Sequence, residues 1–228
     1  MDHNPILCAI DTAELDRARR LTAAVSGAVG GIKLGLEFFI AQGPEGVRAV
    51  AGREAALFLD LKLHDIPNTV AGALSAALAL DPLMVTLHCA GSTAMMRAAA
   101  AARGSRRTKL LGVTVLTSLD DNDLAAVGQA GPTSAQVRRL ALLAKEAGLD
   151  GVVCSPQEVA MLRQVCGKDL LLVVPGIRPA GAATGDQKRV QTPRAAIEAG
   201  ADYLVIGRPI TEAPDPAAAA RAIVAELR

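Results

Sequence analysis

A chain of 228 residues has room for one α/β barrel or at most two small domains. Half of its residues are apolar (51%), so a large core can form, and 24 basic against 23 acidic side chains nearly cancel. That balance argues against a broad nucleic-acid footprint and against an anionic membrane as partner, so any anion site has to be local.

The N-terminal stretch "MDHNPILCAID" is acidic and lacks the apolar centre of a signal peptide. From there eight short β-like runs recur: "ILCAID" (6–11), "GIKLGL" (31–36), "LFLDLK" (57–62), "LMVTLH" (83–88), "LLGVTVL" (110–116), "DGVVCS" (150–155), "LLLVVP" (170–175) and "DYLVIG" (202–207). Their centres are mostly apolar, as in strands covered on both faces. Between them lie segments rich in Ala, Leu, Arg and Glu with helical character, among them 13–28, 67–80, 92–103, 133–147 and 215–227. Pro67, Pro156 and Pro193 suit first helical turns. "EAGLD" (146–150) and "EAGAD" (198–202) repeat one device, a helix stopped by Gly and followed by a strand. Eight alternations predict an α/β fold, a (β/α)8 TIM barrel forming a single domain over 1–228, with an open doubly wound sheet as the alternative. The longest irregular segment, the Gly-rich 176–191, follows the seventh run and on a barrel would be a lid at the catalytic face.

The four cysteines, at 8, 89, 154 and 166, show no metal-ligand spacing. Cys8 and Cys154 fall in apolar runs, where a free thiol packs as a small hydrophobe. The expectation is four reduced thiols in a cytoplasmic protein. No apolar run reaches the roughly 18 residues of a membrane helix, and with no Trp, one Tyr and three Phe the chain is poor in base-stacking platforms.

"DLKLHDIPNTV" (60–70) packs four ionisable side chains into six positions at the end of an apolar run. Barrel active sites form at the C-terminal ends of the strands. Asp60 and Lys62 differ by two and leave their strand on one face. Lys33 lies on the neighbouring run, Asp11 ends the first, and Asp65 stands where the chain turns into a helix. The expected result is an alternating array of Lys33, Asp60, Lys62 and Asp65. A buried ion-pair network that merely fixes strand ends is the bland alternative, but buried charges cost several kcal/mol unless well paired. A second cluster, "VIGRPI" (205–210), puts Gly207 and Arg208 after the last run, where barrels often bind phosphate. Gly lets a backbone N–H approach an anion and Arg offers a planar fork of donors. Arg178 and the neutral donor Gln187 add to it, unless the two arginines are ordinary surface residues. His88 reads as a hydrogen-bonded structural histidine, His64 as an orienting or a chemical group, His3 as a terminal residue. Asp120, Asp121 and Asp123 read as a helix-capping loop rather than a metal site. No nucleophile elbow, P-loop or dinucleotide fingerprint is present.

"DLKLHDIPNT" resembles the signature of the orotidine 5'-phosphate decarboxylase family, in its bacterial form, which completes de novo UMP synthesis. The match is specific, because Asp-x-Lys-x-x-Asp is followed by Ile-Pro-Asn-Thr. It extends through "AID" (9–11), "IKLGLEFF" (32–39), "VTVLTS" (113–118), "PGIRP" (175–179), "GDQKR" (185–189) and "DYLVIGRPIT" (202–211). The resemblance implies a (β/α)8 barrel working as a homodimer with shared active sites. Neither cofactor nor metal, nucleic acid nor membrane is implied. Asp11 and Lys33 would hold the ribose, Asp60 would face the substrate carboxylate, and Lys62 would donate the proton. Asp65, Ile66 and Thr69 would reach the partner's site. Thr117 and Ser118 would contact the pyrimidine. Arg178 would lie in the lid, and Gln187, Gly207 and Arg208 would bind phosphate. Mg²⁺-dependent sugar-phosphate decarboxylases and hexulose-phosphate synthases resemble the array too. Their pattern has an acidic residue where Lys33 stands and lacks the Ile-Pro-Asn-Thr continuation. A non-catalytic nucleotide-binding relative is the remaining alternative.

Overall fold

In a computed structural model the protein is described over residues 4–52, 56–129, 131–179 and 191–227. Eight strands form a closed barrel in chain order: β1 (Ile6–Ile10), β2 (Gly31–Gly35), β3 (Leu57–Leu63), β4 (Met84–His88), β5 (Lys109–Val113), β6 (Gly151–Val153), β7 (Leu171–Val174) and β8 (Tyr203–Ile206). Every neighbouring pair is parallel, and β8 closes on β1 through Leu7↔Val205 and its flanking pairs. The barrel therefore replaces the open-sheet alternative.

The helices are α1 (Leu15–Val25), α2 (Leu36–Ala51), α3 (Pro67–Ala77), α4 (Thr93–Arg103), α5 (Asp121–Ala126), α6 (Thr133–Glu146), α7 (Val159–Cys166), α8 (Pro193–Glu198), α9 (Arg208–Thr211) and α10 (Pro216–Ala225). Pro67 and Pro193 occupy first turns, as expected, and Pro156 opens a short 3-10 turn. Gly148 and Gly200 follow α6 and α8 with φ of 84° and 112°, a left-handed conformation that costs glycine no Cβ clash. Helix α2 is kinked at Gly43, just before Pro44.

Side-chain parity divides the core in two. Cys8, Ile10, Leu34, Leu59, Leu87, Val152, Leu172 and Ile206 point outward into the layer shared with the helices. Leu7, Phe58, Met84, Leu111, Val173 and Val205 fill the barrel interior. Both faces of each strand are thus buried, which is why the runs read as continuously apolar. Above this plug the inward positions turn polar: Lys33 pairs in register with Phe58, and Gly35 with Asp60.

The β3–β4 ladder is irregular. Leu59 pairs with Val85, but the next pair is Leu63 with Leu87, so four steps of β3 span two of β4. The surplus is a bulge, and it lies on the signature segment.

Candidate functional site

The bulge sets the site's geometry. Asp60 and Lys62 both turn to the barrel mouth, with Lys62 Nζ 2.8 Å from Asp60 Oδ2. Lys33 Nζ, from β2, stands 3.6 Å from that same oxygen and 3.1 Å from Asp11 Oδ1, just beyond β1. Two lysines and two aspartates thus alternate across three adjacent strands. Lys62 has φ of 49°. A left-handed backbone at a residue with a Cβ costs roughly 1–2 kcal/mol, and such strain collects where surrounding structure imposes it at functional sites. The Lys62 N–H donates to Thr86 Oγ1 at 2.9 Å, and that hydroxyl donates to Asp60 Oδ1 at 2.9 Å.

Burial acts to raise the Asp60 pKa, but Lys33, Lys62 and the hydrogen bonds from Lys62 and Thr86 outweigh it. The carboxyl titrates below its ordinary value and is ionised at neutral pH. Beside it, the His88 ring centroid is 5.2 Å from that of His64. Burial, then the charges of His64 and Lys62, push the His88 pKa below its ordinary 6.5, with Asp60 opposing. The ring thus stands beside a second histidine at the rim of the charge cluster rather than as the hydrogen-bonded structural residue expected. A depressed pKa makes the unfolded chain the better proton acceptor. The stability that neutral His88 contributes is present above pH 6.5 and lost as pH falls through its folded value. Asp60 adds a second loss in the carboxylate range. The thermal midpoint is expected to start falling below pH 6.5, and His88→Gln to remove part of that slope. A midpoint flat down to the carboxylate range would contradict this assignment.

Two adjoining cavities open at the mouth and share Lys33, Pro175 and Val205. One, about 400 Å³, is lined by Asp11, Gly176, Arg178, Gly207 and Arg208 among others. The other, about 180 Å³, has Asp60 and Lys62 on one side and Phe58, Val113, Val153 and Thr117 on the others. The wider end offers arginines and the backbone at the start of α9, groups that bind an anion. The narrower end is an apolar slot with a charged wall. Lys33 and Asp11 lie between, so a ligand with a phosphate at one end and a flat polar ring at the other matches the order of groups.

Of the residues expected at the site, Asp11, Lys33, Asp60, Lys62, Thr117, Arg178, Gly207 and Arg208 line this cleft. Asp65 does not join the array. It is exposed, its Oδ1 accepts the Ile66 N–H at 2.6 Å, and Asp11 takes its place as the fourth charge. Ile66 (67% exposed) and Thr69 are also exposed and line neither cavity. Ser118 is exposed and does not line the slot beside Thr117. Gln187 and His3 lie outside the described residues, as does most of the 176–191 segment. Its ends are tied by the Ile177↔Gln191 bridge and by the Arg178 N–H donating to Gln191 O at 3.0 Å. Asp120 caps α5, accepting from the N–H groups of Asn122 and Asp123, as its spacing predicted.

Thr86 and the apolar slot walls were missed in the sequence. A signal was available: Met84, Thr86 and His88 share the inward parity, and a hydroxyl there stands out in an apolar run. The four cysteines are all buried and form no disulfide, and burial pushes the Cys8 and Cys89 thiols up to about 12.

The family model described as "Orotidine 5'-phosphate decarboxylase / HUMPS family" matches residues 4–223. The chain is 56% identical to the orotidine 5'-phosphate decarboxylase of Thermobifida fusca, over 98% of this chain and 96% of that one. It is also 56% identical to that of Novosphingobium aromaticivorans, over 98% and 99%. Among solved structures it superposes on orotidine 5'-phosphate decarboxylase from Lactobacillus acidophilus with a TM-score of 0.88 at 36% identity, covering 99% of both chains. For the Pyrococcus horikoshii enzyme the TM-score is 0.80 at 25% identity, covering 98% of this chain and 99% of that one.

Proposed function

The chain belongs to the orotidine 5'-phosphate decarboxylase / HUMPS family, and we infer that it converts orotidine 5'-phosphate to UMP and CO₂. What carries this reading is the Lys33–Asp60–Lys62 cluster standing between an arginine-bearing pocket and an apolar slot. Phosphate sits against Gly207, Arg208 and Arg178, with Gln187 from the lid. Asp11 and Lys33 hold the ribose, and the pyrimidine enters the slot beside Thr117, with Ser118 at its edge. The substrate carboxylate then faces Asp60, and ring carbon 6 faces Lys62.

When the bond from carbon 6 to the carboxylate breaks, CO₂ leaves and the electron pair stays on the ring. No adjacent carbonyl takes up that charge. The ammonium of Lys62, fixed by Asp60, is a preorganised counter-charge for it and then gives the carbon its proton. Lys62 regains a proton from solvent. The ionised Asp60 beside a second carboxylate disfavours the bound substrate relative to the carbanion, a contribution that binding energy at the remote phosphate has to offset. That same energy helps close the 176–191 lid.

This chemistry uses fixed charge and calls on neither metal nor cofactor. Among the described residues no group of three His, Cys, Asp or Glu side chains is placed to hold a metal ion. The active form is a homodimer with shared sites. The exposed 64–69 segment supports this, since Asp65, Ile66 and Thr69 are open to solvent and line neither cavity of this chain. Four buried cysteines outside any disulfide suit the cytoplasm. Among the described residues no helix is long and apolar enough to cross a membrane.

The test is turnover of orotidine 5'-phosphate in excess EDTA, followed by the pyrimidine absorbance with UMP identified as product. Rapid loss of the orotate chromophore is expected. UMP binding without turnover would point to a non-catalytic relative, and neither binding nor turnover to the Mg²⁺-dependent sugar-phosphate enzymes.

A further inference from the structure

Thr86 lies on β4 between Val85 and Leu87, the two residues across which β3 spends its surplus. The bulge takes the Lys62 N–H out of the regular ladder. A buried N–H without an acceptor is costly, and side chains commonly supply one. Here the acceptor is the Thr86 hydroxyl, at 2.9 Å. A hydroxyl also carries one hydrogen of its own, and Thr86 sends it to Asp60 Oδ1, also at 2.9 Å. Asp60 is thereby gripped at both oxygens, Oδ1 by Thr86 and Oδ2 by Lys62. Thr86 is fully buried and Met84, on the same face, belongs to the apolar plug. The hydroxyl is thus fixed from below and has little freedom to swing away.

We propose that Thr86 is a positioning residue for decarboxylation, its hydroxyl holding the Lys62 backbone in the left-handed turn and the Asp60 carboxylate in one rotamer. This aims proton donor and carboxylate at the same point of the slot. The proposal rests on the decarboxylase reading above. It needs a side chain that donates and accepts at once on a short stem. Serine meets that requirement, whereas valine keeps the shape of threonine and meets neither half.

The experiment measures kcat, KM and UMP binding for wild type, Thr86→Val, Thr86→Ser and Thr86→Ala. Displacing a reacting group by about 1 Å can cost on the order of 100-fold in rate. Thr86→Val is therefore expected to lose roughly 10- to 100-fold in kcat, with UMP affinity little changed because the phosphate and ribose contacts are made elsewhere. Thr86→Ser should recover most of the rate. Loss from packing alone would instead spare Thr86→Val and penalise Thr86→Ser. Wild-type kcat in a folded Thr86→Val overturns the proposal, and so do equal rates for Thr86→Ser and Thr86→Ala, a comparison that stands even if the valine variant does not fold. An inactive wild type would count against the decarboxylase reading itself and is told apart by that control.

Discussion

Lys62→Ala is expected to abolish turnover, lowering kcat by at least about 10⁴-fold, the combined scale of a lost general acid and a lost preorganised charge. Among the described residues there is no ready substitute. Lys33 is the other ammonium near Asp60, but it stands 3.6 Å from Oδ2 and is bonded to Asp11 at 3.1 Å. That pairing holds it toward Asp11, at the end of the cleft proposed for the ribose. With Lys62 gone, negative charge developing on the ring would face Asp60 without its paired ammonium, and the carbanion would lose the proton donor proposed for it. Nucleotide binding should persist, because Arg208, Gly207 and Asp11 line the other cavity. Single-turnover measurement with orotidine 5'-phosphate, alongside a UMP titration, separates the two effects. A near-normal kcat would remove Lys62 from the chemistry.

Arg208→Ala should raise KM and lower kcat/KM by roughly 10- to 100-fold, the range for losing one charge-assisted hydrogen bond to an anion. Arg208 opens α9 and is exposed, so its loss should leave the thermal midpoint nearly unchanged. Part of the loss should fall on kcat. In the proposed binding mode the phosphate is at the far end of the cleft from the breaking bond, and its binding energy would serve to hold the substrate carboxylate against Asp60. Unchanged kcat/KM would refute the phosphate assignment, and a loss confined to KM would uncouple phosphate binding from the chemical step.

The barrel was legible because its eight runs are apolar on both faces and because Gly148 and Gly200 punctuate two helix–strand junctions in the same way. The pairing of Asp60 with Lys62 followed from a spacing of two. What failed was the assumption of a regular strand beyond Asp60. A regular strand also puts both side chains on one face, so the spacing held while the path between them did not. Nothing in "DLKLHD" marks Lys62 as left-handed, since lysine has no preference for that region and the cause lies on β4. Asp65 was placed by proximity in sequence. Its N–H neighbour at Ile66 captures it, and the turn into α3 carries it outward. Contacts between strands far apart in the chain, such as Thr86 with the bulge, are beyond any local pattern.

The order in which the barrel closes has a consequence for synthesis. β8 is hydrogen-bonded to β1, so Arg208, at the start of α9, lies beside Asp11 although 196 residues separate them along the chain (208 − 11 − 1). Until the last strand has emerged, the sheet has two open edges, β1 and the newest strand, and each is a template for pairing with another chain. If Arg208 binds the phosphate as proposed, a growing chain cannot hold the nucleotide through it, and the ligand cannot help to fold that chain. Only a finished barrel gains from binding, so ligand stabilisation selects complete molecules over truncated ones.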